Sequence, residues 1–99
     1  MTKLSTRPLI APDLTESTQD ATDRGWVVIV HDNDTNTDVE VMAILMVATG
    51  CDEQEAFIET WEVDALGQST VHIAAKQECE RAAEIIRTIG IKVTVEPNL

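Results

Sequence analysis

The segment His31-Asp32-Asn33-Asp34-Thr35-Asn36-Thr37-Asp38 crowds acids, amides and hydroxyls into consecutive positions. Carboxylate and amide oxygens are acceptors, so the chemistry on offer is capture of a cation or of an N–H donor. Calcium is the first candidate, because acids and amides alternate as in an EF-hand loop. The match fails where it matters: Thr37 occupies the place of the turn glycine, and Ala43 that of the bidentate glutamate. Zinc fits no better, since His31, His72, Cys51 and Cys79 show neither CxxC nor HExxH spacing. No metal and no other cofactor is expected. Covalent catalysis lacks a serine elbow or a Cys/His pair, and nothing suggests a substrate for two carboxylates acting as acid and base, so an enzyme is not expected either. The remaining cation is an amine. A protonated α-amino group presents three N–H donors and is held by carboxylate or carbonyl acceptors in a partly desolvated site. Asp32, Asn33 and Asp34, joined by Asp64 from further along the chain, would supply them. The competing structural reading has Asp34, Asn36 and Thr37 forming Asx-type turns and capping the helix that follows.

Those groups have to be positioned by the elements around them. Trp26 to Val30 is a continuous apolar run, which suits a central strand buried on both faces. Val39 to Ala48 reads as a helix, apolar at all but one position, expected in the core and ended by Gly50. Asp52 with Glu55 resembles a capping box that starts a second helix, Glu53 to Ala65. Its core face would carry Ala56, Phe57, Thr60, Trp61 and Asp64. Leu66-Gly67-Gln68 is a turn. Thr70 to Ala74 alternates as a strand, with Val71 and Ile73 on one face. Gln77 to Thr88 carries Cys79, Ala82, Ala83, Ile86 and Ile89 on one helical stripe, with Glu80, Arg81, Glu84 and Arg87 outside, and Gly90 ends it. Ile91, Val93 and Val95 make a final half-buried strand stopped by Pro97. The order β-α-α-β-α-β predicts an α+β two-layer sandwich: a three-stranded antiparallel sheet with three helices on one face. Residues 1–24 read as a disordered acidic tail, leaving 25–99 as the single domain.

Composition narrows the partners. Only three of 99 residues are aromatic, so the core is aliphatic. A formal charge of −11 repels nucleic-acid phosphates and anionic membranes and favours cationic partners or basic patches. Two cysteines make no disulfide framework and fit free thiols in a reducing compartment. No signal peptide is visible, and the longest apolar run, Val41 to Ala48, is too short to span a bilayer. A cytoplasmic protein is expected.

The motifs together resemble the ClpS family, adaptors that bring N-degron substrates to a Clp AAA+ unfoldase. Members show an apolar strand, His-Asn-Asp-Asp-x-Asn-Thr, an apolar helix, an acidic stretch with Ala, and later Leu-Glu-Val-His-x-x-Gly. This chain has His31-Asp32-Asn33-Asp34-Thr35-Asn36-Thr37, then Asp52-Glu53-Gln54-Glu55-Ala56, then Trp61-Glu62-Val63-Asp64-Ala65-Leu66-Gly67. The resemblance runs from Trp26 to about Glu96. It implies that Asp32, Asn33 and Asp64 take the roles that grip the substrate's α-amine, with Asp64 replacing the usual His. Asn36 and Thr37 match the family's Asn-Thr. Asp38 replaces a bulky apolar residue bordering the pocket for the first side chain. Val41, Ile44, Leu45 and Val63 would line that pocket, and Thr60 sits where Met is common. The unfoldase would dock near the start of the third helix, at Gln77 and Glu78, and the tail would engage it during delivery. The expected function is an adaptor that binds the free α-amine and bulky hydrophobic first side chain of N-degron substrates. The alternative is a divergent interaction domain on the same scaffold without amine recognition.

Overall fold

The β-branched run forms the middle of the sheet. In a computed structural model, which describes residues 25–99, strand β1 (Trp26–His31) lies between β2 (Gln68–Ala74) and β3 (Val93–Pro97), antiparallel to both. The tail expected over residues 1–24 lies outside the described residues. Val28 and Val30 of β1 are fully buried beneath the helices. Val27 and Ile29 point to the other face, in rows with Ile73 and Glu96 and with Thr70 and Thr94, and are covered by these cross-strand neighbours. Helices α1 (Asp38–Thr49), α2 (Glu53–Leu66) and α3 (Lys76–Arg87) complete the order β-α-α-β-α-β. The fold is the α+β arrangement expected. No helix among the described residues is long and apolar enough to cross a membrane.

Three details differ from the sequence expectation. Val28 pairs with His72 but Ile29 with Thr70, so Val71 is an extra residue, a β-bulge. The bulge turns Val71 into the core while Ile73 stays 55 % exposed, and the two do not share a face. Helix α1 is buried along Val41, Leu45 and Ala48 only, leaving Val39 and Val47 in solvent. Helix α2 turns a different face inward: Ala56, Glu59, Thr60 and Val63 are buried, whereas Phe57, Trp61 and Asp64 lie outside.

Helix α3 follows expectation, with Cys79, Ala82, Ala83 and Ile86 buried under the sheet. Its small residues let the helix lie close to β1 and β3. A side-chain network ties the layers together. His72 Nε2 donates to Glu78 Oε2 at 2.9 Å, and Arg81 grips the same carboxylate through Nε at 2.8 Å and Nη2 at 2.6 Å. Arg81 Nη2 also donates to the Ala48 carbonyl at the end of α1, at 2.8 Å. That carbonyl is one of those a helix C-terminus leaves without an intrahelical partner.

Candidate functional site

Two backbone hydrogen bonds fix the chain as it leaves β1. His31 N–H donates to the Lys92 carbonyl and Asp32 N–H to the Gly67 carbonyl, both at 3.0 Å. The second bond holds Asp32 against the turn that closes α2, three residues beyond Asp64. Gly67 adopts φ 90° there, and its N–H returns to the Val63 carbonyl, ending α2 in a left-handed cap. His31 is structural, as a strand-end histidine usually is: Nε2 shares a 3.0 Å hydrogen bond with Thr94 Oγ1.

The loop then folds on its own amides. Asn33 Oδ1 accepts from the N–H of Thr35 at 3.3 Å and of Asn36 at 3.1 Å, and Asn33 Nδ2 donates to Asn36 Oδ1 at 2.8 Å. Asn36 Nδ2 reaches the Ile89 carbonyl at 2.8 Å, anchoring the loop to the turn before β3. Thr37 is the N-cap of α1. Its Oγ1 accepts from Glu40 N–H at 3.1 Å while Glu40 Oε1 accepts from Thr37 N–H at 2.9 Å, a complete capping box. The Thr37 backbone N–H, and after it the Asn36 amide, hold the Glu40 carboxyl below the ordinary carboxylate range. The capping role that the structural reading gave Thr37 is thus observed, and its reciprocal partner Glu40, signalled by the pattern Thr37-x-x-Glu40, was not named by that reading. At the start of α2 only half of the expected box forms: Asp52 Oδ1 accepts from Glu55 N–H at 2.8 Å.

The short link through Gly50, Cys51 and Asp52 makes α1 and α2 antiparallel neighbours, so the start of α1 meets the end of α2. Asp38, in the first turn of α1, thereby comes within hydrogen-bonding reach of Asp64. The exposed Asp64 carboxyl is pushed above the usual aspartate range, first by that hydrogen bond with Asp38 and then by slight desolvation. The charges of Asp38 and Asp32 add to it. Asp38 and Asp64 thus meet at one exposed edge, with the charge of Asp32 acting on Asp64 from the end of β1. Asp38 is exposed in the first turn of α1 beside Asp64, and Asp34 is exposed in the loop. Such a cluster is an acceptor set under mutual repulsion, and a cation placed among its members relieves it.

Of the residues expected to line an apolar pocket, Val41, Leu45, Thr60 and Val63 are buried beneath the α1–α2 hairpin and Ile44 is half-buried. The Thr60 hydroxyl is buried with no hydrogen-bond partner among the described residues. Near the start of α3, Gln77 is exposed, and Glu78 is half-buried and engaged with His72 and Arg81. Among the described residues no three His, Cys, Asp or Glu side chains are grouped to hold a metal ion.

One buried acid escaped the sequence reading. Glu59 is only 6 % exposed and its Oε1 has no partner among the described residues. Burial pushes its carboxyl up to about 9, helped by a hydrogen bond with Glu55 and by the charges of Glu55 and Glu62. Its only sequence signal is positional: Ala56, Glu59, Thr60 and Val63 share the i, i+3, i+4, i+7 stripe.

The model of the family described as ATP-dependent Clp protease adaptor protein ClpS matches residues 21–94. No curated protein sequence matches. Among solved structures, that of Agrobacterium tumefaciens ClpS2 bound to L-phenylalaninamide is similar with a TM-score of 0.69 and 17 % identity. The match covers 73 % of this chain and 94 % of that one, a likeness of fold. Spanning all six elements but the end of β3, the family match shows that the chain belongs to the ClpS family of Clp protease adaptors.

Proposed function

We propose that this adaptor recognises proteins by a free α-amino group followed by a bulky hydrophobic side chain, and delivers them to a Clp AAA+ unfoldase. The observation that carries the reading is the convergence of Asp32, Asp38 and Asp64 at the open end of the α1–α2 hairpin. An α-ammonium entering there offsets the repulsion among these acids and offers its N–H donors to charged acceptors. Val41, Leu45 and Val63 lie in the core under the same hairpin and offer the apolar surroundings that the first side chain requires. The ligand bound to ClpS2 supports the same chemistry, because L-phenylalaninamide pairs a free α-amine with an aromatic side chain. Docking on the unfoldase is assigned to the start of α3, where Gln77 is the exposed member, with the tail of residues 1–24 assisting delivery.

Fluorescence anisotropy with peptides beginning in Leu, Phe, Trp or Tyr, beside N-acetylated copies, tests the reading. Free peptides bind and acetylated ones do not. Equal binding of the two forms, or none at millimolar concentration, sinks it. A second reading, an interaction domain that does without amine recognition, draws on Asn33, whose amide oxygen already accepts two backbone N–H groups. A pull-down that retains other partners but no Clp unfoldase would favour it.

A further inference from the structure

Exposed large apolar side chains in a strongly acidic chain call for an account, and their spacing provides one. Asp38, Met42 and Met46 recur at i, i+4 and i+8 on α1, and Phe57, Trp61 and Asp64 at i, i+4 and i+7 on α2. Helices α1 and α2 pack against each other as an antiparallel hairpin, and Asp38 interacts with Asp64 across it, which sets the two rows on facing sides. They border a shallow apolar furrow with an acid pair at one end. Phe57 is 60 % exposed, Trp61 56 % and Met46 37 %, outside the buried stripes of their helices. Aromatic residues and Met are enriched at protein interfaces, and Trp is prominent among the residues that dominate their energetics.

Charge decides what covers the furrow. Ten acids lie between Asp32 and Asp64, and no Lys or Arg occurs between Gly25 and Ala75. The cations of the described region, Lys76, Arg81, Arg87 and Lys92, belong to α3 and the loop that follows it. Every charged side chain of the hairpin itself is therefore an acid, and the cation that reaches it is Arg81 of α3, at the Ala48 carbonyl where α1 ends. A second copy at −11, a nucleic acid or an anionic membrane is repelled from such a surface. We propose that the α1–α2 furrow is a docking surface for a cationic amphipathic protein segment. Its large apolar side chains pack on Met46, Phe57 and Trp61, while its Lys or Arg residues meet the flanking carboxylates and the Trp61 face. The interaction needs no free N-terminus, although the furrow ends at the acid pair assigned to the proposed amine site.

The probe is a short, N-acetylated helical peptide of Leu and Lys at amphipathic spacing, titrated by anisotropy into the full chain, with a Leu/Glu peptide as the control. Binding of the lysine peptide is expected, with none of the glutamate peptide. The F57A/W61A pair should weaken it by about tenfold or more, and added salt should weaken it further. Both side chains are largely exposed, so thermal melts of the variant should match the parent and separate lost docking from lost folding. Undiminished binding by F57A/W61A, or equal binding of the two peptides, overturns the proposal. Concentration-dependent self-association abolished by W61E would make the occupant a second copy and also overturn it. If K3E/R7E binds the probe about tenfold more tightly than the parent, the chain's own N-terminal segment covers the furrow and the external partner is overturned. Because the probe is acetylated, loss of α-amine recognition leaves every one of these outcomes unchanged.

Discussion

At the scale of single residues, two carboxyls raised above their ordinary range have opposite meanings. Asp64 is exposed, and the neighbours that raise it are acids that also want a cation. In the proposed amine site, protonation of Asp64 competes with ammonium binding, so affinity for a free N-terminal peptide should rise with pH through the acidic range and level off once Asp64 is ionised. Asp64→Asn should weaken binding about tenfold and flatten that dependence. A titration of affinity against pH in both proteins checks it, and an equal slope in the two would remove Asp64 from the site. Glu59, by contrast, is raised by burial to about 9, and no ligand is called for. The folded state holds its proton more tightly than the unfolded chain. Its stabilising contribution is complete below about 4.5 and is lost as pH rises towards about 9, with a slope of up to about 1.4 kcal/mol per pH unit. Glu59→Gln keeps the volume and removes the titration, so urea midpoints at pH 5 and pH 8 should converge in the variant and differ in the parent. The raised Asp64 was foreshadowed in the sequence, because an acid replaced a histidine at a motif position. Glu59 was not, because nothing in its type distinguishes it from the exposed acids on either side.

At the scale of elements, the positions that hold the site are caps and ties. Thr37→Ala removes the hydroxyl that caps α1 and loosens its reciprocal partner Glu40. It should cost about 1 kcal/mol in denaturant unfolding, with Asp38 displaced from Asp64 as a consequence. The His72–Glu78–Arg81 network is the corresponding tie between β2, α3 and the end of α1. The Arg81 guanidinium, and after it His72, draw the Glu78 carboxyl down to about 2. The network's contribution is present above about 4.5 and is lost as pH falls towards about 2, so Glu78→Gln should flatten the acid limb of the stability profile. An unchanged acid limb would show that the network adds nothing measurable. The order and number of these elements were legible, because each helix is closed by a glycine or cap signal and each strand by a change of period. Two facings were not. Apolarity assigned Phe57 and Trp61 to the inside of α2, but the buried stripe is rotated by roughly a quarter turn onto Ala56, Glu59, Thr60 and Val63. In β2 the bulge at Val71 breaks the alternation that placed Val71 beside Ile73. Local pattern carries no information on either point, because both are decided by what the neighbouring element offers to pack against.

At the scale of the whole molecule, charge is segregated. Helix α3 and the loop after it carry the cations of the described region, and the α1–α2 hairpin carries acids without one Lys or Arg. Only Glu78 forms ion pairs among the described residues, one with Arg81 and one with His72 when that ring is protonated. Screening therefore has little attraction to remove and much repulsion. Melting temperature should rise by several degrees as NaCl increases from about 20 mM to about 200 mM, a range in which the Debye length shrinks below the spacing of most of these acids. A fall would mean that the few ion pairs outweigh the repulsion. One substitution separates this field effect from general salt effects on hydrophobic burial. The last turn of α1 has no basic residue, and Val47 there is 68 % exposed. Val47→Lys places a cation at the negative end of the helix dipole and in the middle of the anionic hairpin, for a gain of about 0.3–1 kcal/mol at low ionic strength. The gain should shrink as salt is added, whereas a benefit that arose from removing an exposed apolar side chain would persist at every salt concentration.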